Sequence, residues 1–413
     1  MILFRWYIKD VGGIETYIYN QTKELLKKNY VVGIEMTPNH NINKVFTDVI
    51  NENNVVMFYP LKYKELKKYC NSNGISKLII ISFDLFSFAE SEQIKSKEQN
   101  IKIYNYFFVP HFEGDTIYLE DMKGTSKKDK EKINIIINKM NNNRNIIYFS
   151  LRHIQEFKKR YGIKIDASEK CLVPIENRDY ENINIDDRKR SKSETYFKII
   201  SPTRFEFPHK GFVLGLIDVF ERISEKYPFV KLDIIGDGEG KERLLRRIAC
   251  LEERTRSNIR ILDPMTQEEL KKNFDKASLS ICVAGCADLG ASRGVPTLPA
   301  RHYCEKCEVY DFYPEGYKDC LERKPGKKPD GYIEKIIEMD NESYLNLCIE
   351  TFDFMKKKLF EKNIDSFEML RLNSDDLILS KREINFVIRK KRKKYSYYRT
   401  KIKRGISKLI NFD

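Results

Sequence analysis

The sequence predicts an α/β protein of two similar domains facing a cleft, each a parallel sheet with helices on both faces. Short apolar runs with strand character alternate with helical patterns almost throughout, which is the pattern of a parallel sheet covered by helices. The alternation occurs twice, interrupted once by a polar, charge-dense stretch. The 413 residues are too many for one ordinary core and suit two domains of about 200 residues.

The elements follow in order. Strands are expected at 2–8, 30–36, 55–59, 78–84, 101–109 and 146–149. Leu78-Ile79-Ile80-Ile81 typifies them: a short apolar run read as a buried strand. Between the first two strands, Ile14, Tyr17, Ile18, Thr22, Leu25 and Leu26 form a mostly apolar stripe at helical period. The stretch 177–195 breaks the pattern with Asp186, Asp187, Arg188, Lys189, Arg190, Lys192 and Glu194, and reads as a linker with a mobile loop. A second series has strands at 197–202, 230–236, 259–262, 279–283 and 296–299, with a helix marked by Leu214, Ile217, Val219, Phe220 and Ile223. Residues 331–367 read as helical packing. The expected domains are therefore 1–178, a linker at 179–196, a second domain at 197–380 and a basic tail at 381–413.

Composition excludes several classes. Apolar residues make up 41% and aromatics 12% of the chain, enough for two cores and too many for a disordered protein. No run reaches the ~18 apolar residues of a membrane helix. The start, Met1-Ile2-Leu3-Phe4-Arg5, is strand-like and lacks the succession of a signal peptide, so a cytoplasmic location is expected. Nine scattered cysteines, an odd number, read as free thiols in a reducing compartment. Of the net charge of +14, residues 381–413 supply thirteen Lys/Arg against Glu383 and Asp413, leaving the body nearly neutral. A nearly neutral body does not suit nucleic acid.

Three motifs sit at strand ends. Asp10-Val11-Gly12-Gly13-Ile14-Glu15 follows the first strand and opens the first helix; Gly12 and Gly13 let backbone approach a ligand, and the helix start favours an anion. A tight strand-to-helix turn explains the same residues. Arg204 and Lys210-Gly211 lie past the first strand of the second domain, at the sheet edge where α/β proteins bind ligands; together they can neutralise a diphosphate, and solvated surface charges are the other reading. The strand 232–235 runs into the turn Gly236-Asp237-Gly238-Glu239.

These elements, with Gly294-Val295-Pro296-Thr297 and with Ser150 and Val173-Pro174 at the end of domain one, resemble in their order retaining glycosyltransferases of the GT-B fold, of the family 4 type. The resemblance covers about residues 1–370. It implies two Rossmann-like domains, Arg204 and Lys210 on the donor diphosphate, Gly12 and Gly13 beneath the donor phosphate and sugar, and Gly236, Gly238 and Glu239 lining the nucleotide pocket. It implies retained anomeric configuration and no metal or other cofactor, the nucleoside diphosphate sugar being a co-substrate. His111, after a strand, would orient the acceptor; a structural loop histidine is the other reading. The family's two glutamates before Gly-x-Pro are missing: counting back from Gly294 places Ile281 and Leu289 there, with Asp288 one residue away as the nearest carboxylate. A non-catalytic nucleotide-sugar-binding or partner-stabilising subunit therefore stands as the alternative.

Two features remain. Cys304-Glu305-Lys306-Cys307, near Cys282, Cys286, Cys320 and His302, matches no zinc pattern end to end and reads as ordinary thiols, so no metal site is expected. The tail carries Arg389, Lys390, Lys391, Arg392, Lys393, Lys394 and Arg399 among tyrosines, followed by Ile402, Ile406, Leu409 and Ile410 on one side of a short helix. It suits the anionic inner face of a membrane; nucleic acid and plain solvent are the rivals. The expected partners are a nucleotide sugar, a saccharide or lipid-linked acceptor in surface glycan synthesis, and that membrane face.

Overall fold

The computed structural model describes residues 1–6, 13–36, 46–109, 126–148, 157–162, 183–193, 195–322, 324–360 and 376–390. The chain divides into two compact units, one of Met1–Asp10, Ile14–Asn177 and Asn363–Asp413, the other of Val11–Gly13 and Arg178–Lys362.

The first unit holds a six-stranded parallel sheet. In chain order its strands are β1 (Ile2–Arg5), β2 (Val32–Glu35), β3 (Val55–Phe58), β4 (Lys77–Ser82), β5 (Lys102–Val109) and β6 (Ile146–Tyr148), and in space they run β3-β2-β1-β4-β5-β6. Its helices include α1 (Gly13–Lys27), α2 (Thr47–Ile50), α3 (Tyr63–Ser72), α4 (Leu85–Lys95) and α5 (Lys127–Asn142). Leu3, Leu78, Ile80 and Ile103 pack one way against Leu66 and Cys70 of α3. Phe107, Val109 and Ile146 pack against Phe86 of α4 and Ile133, Ile136 and Ile137 of α5. Arg5, at the C-terminal end of β1, is buried; it is held by Glu35 at 2.8 Å and Glu90 at 3.0 Å and donates to the Ser87 carbonyl at 2.6 Å.

The second unit repeats the plan. A helix α6 (Ile185–Arg190) and a short strand β7 (Lys192–Ser193) lead into β8 (Tyr196–Pro202), β9 (Val230–Ile235), β10 (Ile259–Leu262), β11 (Leu279–Cys282) and β12 (Thr297–Pro299). The last five are parallel in the order β10-β9-β8-β11-β12, and β7 pairs antiparallel with β8. The helix α7 (Phe212–Lys226) buries Phe212, Val213, Leu216, Ile217 and Phe220 against Ile199, Leu232 and Ile234. The opposite face packs Ile200 and Ile235 against Phe274, Leu289 and Val295. The helices α8 (Lys241–Ala249), α9 (Glu253–Arg256), α10 (Gln267–Asp275), α11 (Gly285–Ser292), α12 (Glu315–Glu322), α13 (Asp330–Glu338) and α14 (Asn341–Phe360) complete it.

Two boundaries differ from the sequence expectation. Residues 183–193, within the stretch read as linker and mobile loop, are folded onto the second unit. Arg188 is 2% exposed; its guanidinium donates to the carbonyls of Ala277 at 3.1 Å, Phe274 at 3.2 Å and Asp275. These carbonyls lie at and just past the C-terminal end of α10, the negative end of its dipole, so one cation in a charged stretch becomes a cap.

The second boundary is at the C-terminal end. Residues 376–390, split in the sequence reading between the second domain and a surface tail, belong to the first unit. Ile378, Leu379, Ile384 and Val387 are buried in the same cluster as Phe107 and Ile133. The buried Glu92 carboxylate accepts from the backbone N–H groups of Ile378 at 2.7 Å and Leu379 at 3.0 Å. The helix over 381–390 is therefore packed on one side, and Lys390 pairs with Asp129 at 2.5 Å. Lys390 is thus tied to protein, not free to face a membrane alone. Among the described residues no helix is long and apolar enough to cross a membrane.

Candidate functional site

In both sheets the strand order reverses direction beside the first strand: at β1/β4 in the first unit and β8/β11 in the second. Ligands of open α/β sheets bind outside the carboxyl ends of the strands at such a switch point. In the second unit that point lies where β8 ends at Pro202 and β11 ends at Cys282.

Past β8, the segment Thr203–Phe205 runs beside the turn that follows β9. The Thr203 N–H donates to the Ile235 carbonyl at 2.9 Å, the Phe205 N–H to Asp237 at 3.0 Å, and the Gly240 N–H to Phe205 at 2.8 Å. Gly236 (φ +153°) and Gly238 (φ +149°) make this approach feasible: a Cβ on Gly236 would stand 1.9 Å from the Thr203 carbonyl oxygen, and one on Gly238 2.9 Å from that of Phe205. Backbone packing within the unit requires both glycines. Glu239 is exposed on the same turn.

Arg204 and Lys210 fall on the loop just described. Arg204 is part exposed and pairs with Glu206 at 3.1 Å. His209 beside it, together with Arg204 and Lys210, pulls the Glu206 carboxyl down to about 2, so it is ionised throughout the neutral range. Burial, reinforced by the nearby Arg204 charge, lowers the Lys210 ammonium to about 8, while Cys286 and Glu206 pull the other way. His209 stacks on His302 at 5.2 Å and on Tyr303 at 4.7 Å between ring centroids. Gly211 opens α7 against the turn over 304–305: a Cβ there would meet Glu305 Cγ at 2.9 Å and the Cys304 carbonyl oxygen at 3.3 Å.

Past β11, Ala284 takes φ +50° and ψ −130°, rare for a residue with a side chain. It turns the chain sharply into α11. Gly285, the first residue of α11, has no atom within 4 Å of a Cβ position, so the helix start has open space beside it. Cys286 follows, close enough to Lys210 to influence its charge. Asp288, one turn on, accepts from the buried Tyr313 hydroxyl at 3.0 Å. Asp288, Cys286 and Lys210 all act on the buried thiol of Cys282, which burial pushes well above its usual range. The end of β11 therefore brings Lys210 beside the start of a helix, an arrangement suited to a phosphate, with Cys286 and the Asp288 carboxylate alongside.

The two positions at which the family glutamates were counted are core. Ile281 is fully buried in β11 and Leu289 is 5% exposed on α11, facing Phe274 and Val295. A carboxylate at either would be desolvated; Asp288 is the acid that the fold places past the end of β11.

Sequence reasoning singled out Arg204, Lys210 and Asp288, and the second unit holds all three at the ends of β8 and β11. It missed Glu206, His209 and Tyr313, whose side chains carry no motif; Ala284-Gly285, a strand-to-helix turn, was the available signal for the bend. Gly13 is exposed at the start of α1, and Glu15 of the first unit is buried, accepting from the Trp6 indole at 3.2 Å. Gly12, His111, Lys391, Arg392, Lys393, Lys394 and Arg399 lie outside the described residues. Among the described residues no three His, Cys, Asp or Glu side chains are grouped to hold a metal ion. Cys304 donates its thiol to the Lys306 carbonyl at 2.8 Å, and Cys307 is buried.

No family model and no curated protein matches the chain. Solved structures do. Anabaena Alr3699/HepE, crystallised with UDP and glucose, is similar at 13% identity and a TM-score of 0.54, over 88% of this chain and 96% of that one. Sucrose-phosphate synthase from Thermosynechococcus elongatus is similar at 11% identity and a TM-score of 0.52, over 86% and 94%. TarM is similar at 13% identity and a TM-score of 0.52, over 94% and 98%. The fold is therefore that of GT-B proteins, with two Rossmann-like domains.

Proposed function

We propose that the chain is a glycosyltransferase that moves a sugar from a nucleoside diphosphate sugar to a saccharide or lipid-linked acceptor in surface glycan synthesis. The observation that carries the reading is the cluster of Arg204, Lys210 and the open start of α11 at the β8/β11 switch point. As the sugar departs, negative charge grows on the leaving diphosphate. Two cations and a helix dipole fixed there stabilise that charge more than the ground state, which is the condition for catalysis. They supply what a divalent cation would otherwise supply, so the transfer is metal-independent. Glu206 orients Arg204 through their ion pair. Asp288, held by Tyr313, is positioned to accept a hydrogen bond from a donor hydroxyl. The acceptor proton passes to the leaving phosphate, a route that retains the anomeric configuration, with His111 orienting the acceptor. The tail cations Arg389, Lys391, Arg392, Lys393, Lys394 and Arg399 hold the enzyme at the anionic inner face of a membrane, while Lys390 stays with Asp129.

The burial of Ile281 and Leu289 favours a second reading, a nucleotide-sugar-binding subunit without turnover. One experiment separates the two. The purified chain is offered a panel of nucleoside diphosphate sugars, with binding followed by calorimetry and diphosphate release followed with saccharide acceptors. Release that falls about 10²–10³-fold in Arg204→Ala supports transfer. Binding without release supports the subunit, and neither binding nor release defeats both.

A further inference from the structure

The helix over 381–390 lies antiparallel to α5. Its end meets the start of α5, where Lys390 pairs with Asp129 at 2.5 Å; its beginning meets the end of α5, where Lys139 pairs with Glu383 at 3.1 Å. Between them, Lys132 and Lys390 both stand over the Phe386 ring, at 5.1 and 5.9 Å. This pairing brings two basic segments, far apart in sequence, to one place. The first turns of α5 carry Lys127, Lys128, Lys130 and Lys132, and the partner helix ends in Arg389 and Lys390, followed in sequence by four more Lys or Arg. Lys127, Lys128, Lys130 and Arg389 are exposed, and Ile135, one to two turns further along the outer face of α5, is 62% exposed.

The placement of the lysines is costly. A helix N-terminus carries the positive end of the dipole, so cations there are unfavourable. Only Ser126, which accepts from the Asp129 N–H, and Asp129 itself follow the usual preference. Three lysines, Lys127, Lys128 and Lys130, kept against the dipole beside a second basic segment concentrate positive potential where folding alone would avoid it. An exposed isoleucine on the same face suits a surface that is anionic outside and apolar beneath.

We propose that the start of α5, Ile135 and the end of the 381–390 helix form one composite face of the first unit that docks on an anionic lipid surface. The inference rests on the membrane part of the reading above and adds to it a face that the tail does not contain.

The test uses the full chain and vesicles of phosphatidylcholine with or without phosphatidylglycerol. The exposed triple variant Lys127→Gln, Lys128→Gln, Lys130→Gln keeps the tail intact. With each lysine near an anionic leaflet worth about fivefold in affinity, binding to anionic vesicles should fall about a hundredfold. Thermal stability should stay level or rise, because the dipole is relieved, and donor binding should be unchanged. A chain ending at Lys390 should retain part of its binding, and the triple variant in that background should lose it. Wild-type binding by the triple variant overturns the composite face and leaves the tail reading standing. Binding to neutral vesicles alike, or tighter binding to duplex RNA than to anionic vesicles, overturns both, without touching sugar transfer.

Discussion

Lys210 is buried enough that its ammonium titrates near 8, well below a free lysine. If it grips the donor diphosphate, its charge is needed for binding. The charge is complete well below pH 8 and is lost as pH rises through that value, so donor affinity should weaken on the alkaline side. Lys210→Arg keeps its charge to far higher pH and should hold its affinity flat there; calorimetric titration on either side of pH 8 checks both. Asp288→Asn should impair transfer more than Tyr313→Phe, since the tyrosine acts only by fixing the carboxylate. Steady-state rates for the two variants test this. Ala284 bears a backbone conformation that costs about 1–3 kcal/mol. Glycine there would relieve it for an unfolded-state entropy cost of about 0.4–1 kcal/mol. Ala284→Gly should therefore raise stability in chemical denaturation. The sequence named the cations and the acid because charged residues past strand ends are visible locally. It was silent on Glu206, His209 and Tyr313, which matter through neighbours that folding supplies.

Whole elements show where local patterning misleads. The strands appear almost where apolar runs placed them, because burial on both faces of a sheet demands such runs. The helix α6 was invisible: its six residues are nearly all charged, and the carbonyls at and just past the end of α10 give Arg188 its place. Arg188→Met would leave those buried carbonyls without their donor, at about 1–3 kcal/mol for each unsatisfied group. A loss of about 3 kcal/mol or more is expected in the unfolding of the second unit. At the other end of the chain, Leu379 is fully buried, and Leu379→Ala should cost about 2–5 kcal/mol, although the sequence reads it as the margin of a surface tail.

At the scale of the molecule, the chain leaves the first unit and comes back to it. Among the described residues, the core clusters of the second unit draw on residues between Phe197 and Met355, so a fragment over 178–362 should fold alone with one cooperative transition by circular dichroism. A fragment over 1–177 lacks Ile378, Leu379, Ile384 and Val387 and should not. For the same reason, removal of the basic tail has to begin after Lys390, since a cut at 380 would strip buried side chains along with charge. The order of strands and helices, the two-fold repetition of the plan and the cations at the β8 end were all legible in the amino acids, because each depends on residues within one or two turns or strands of each other. The switch points, the backbone packing that claims Gly236 and Gly238, the cap made by Arg188 and the return of residues 376–390 were not. Each of these joins groups distant in the chain, and a contact of that kind has no local pattern to announce it until the sheets have assembled.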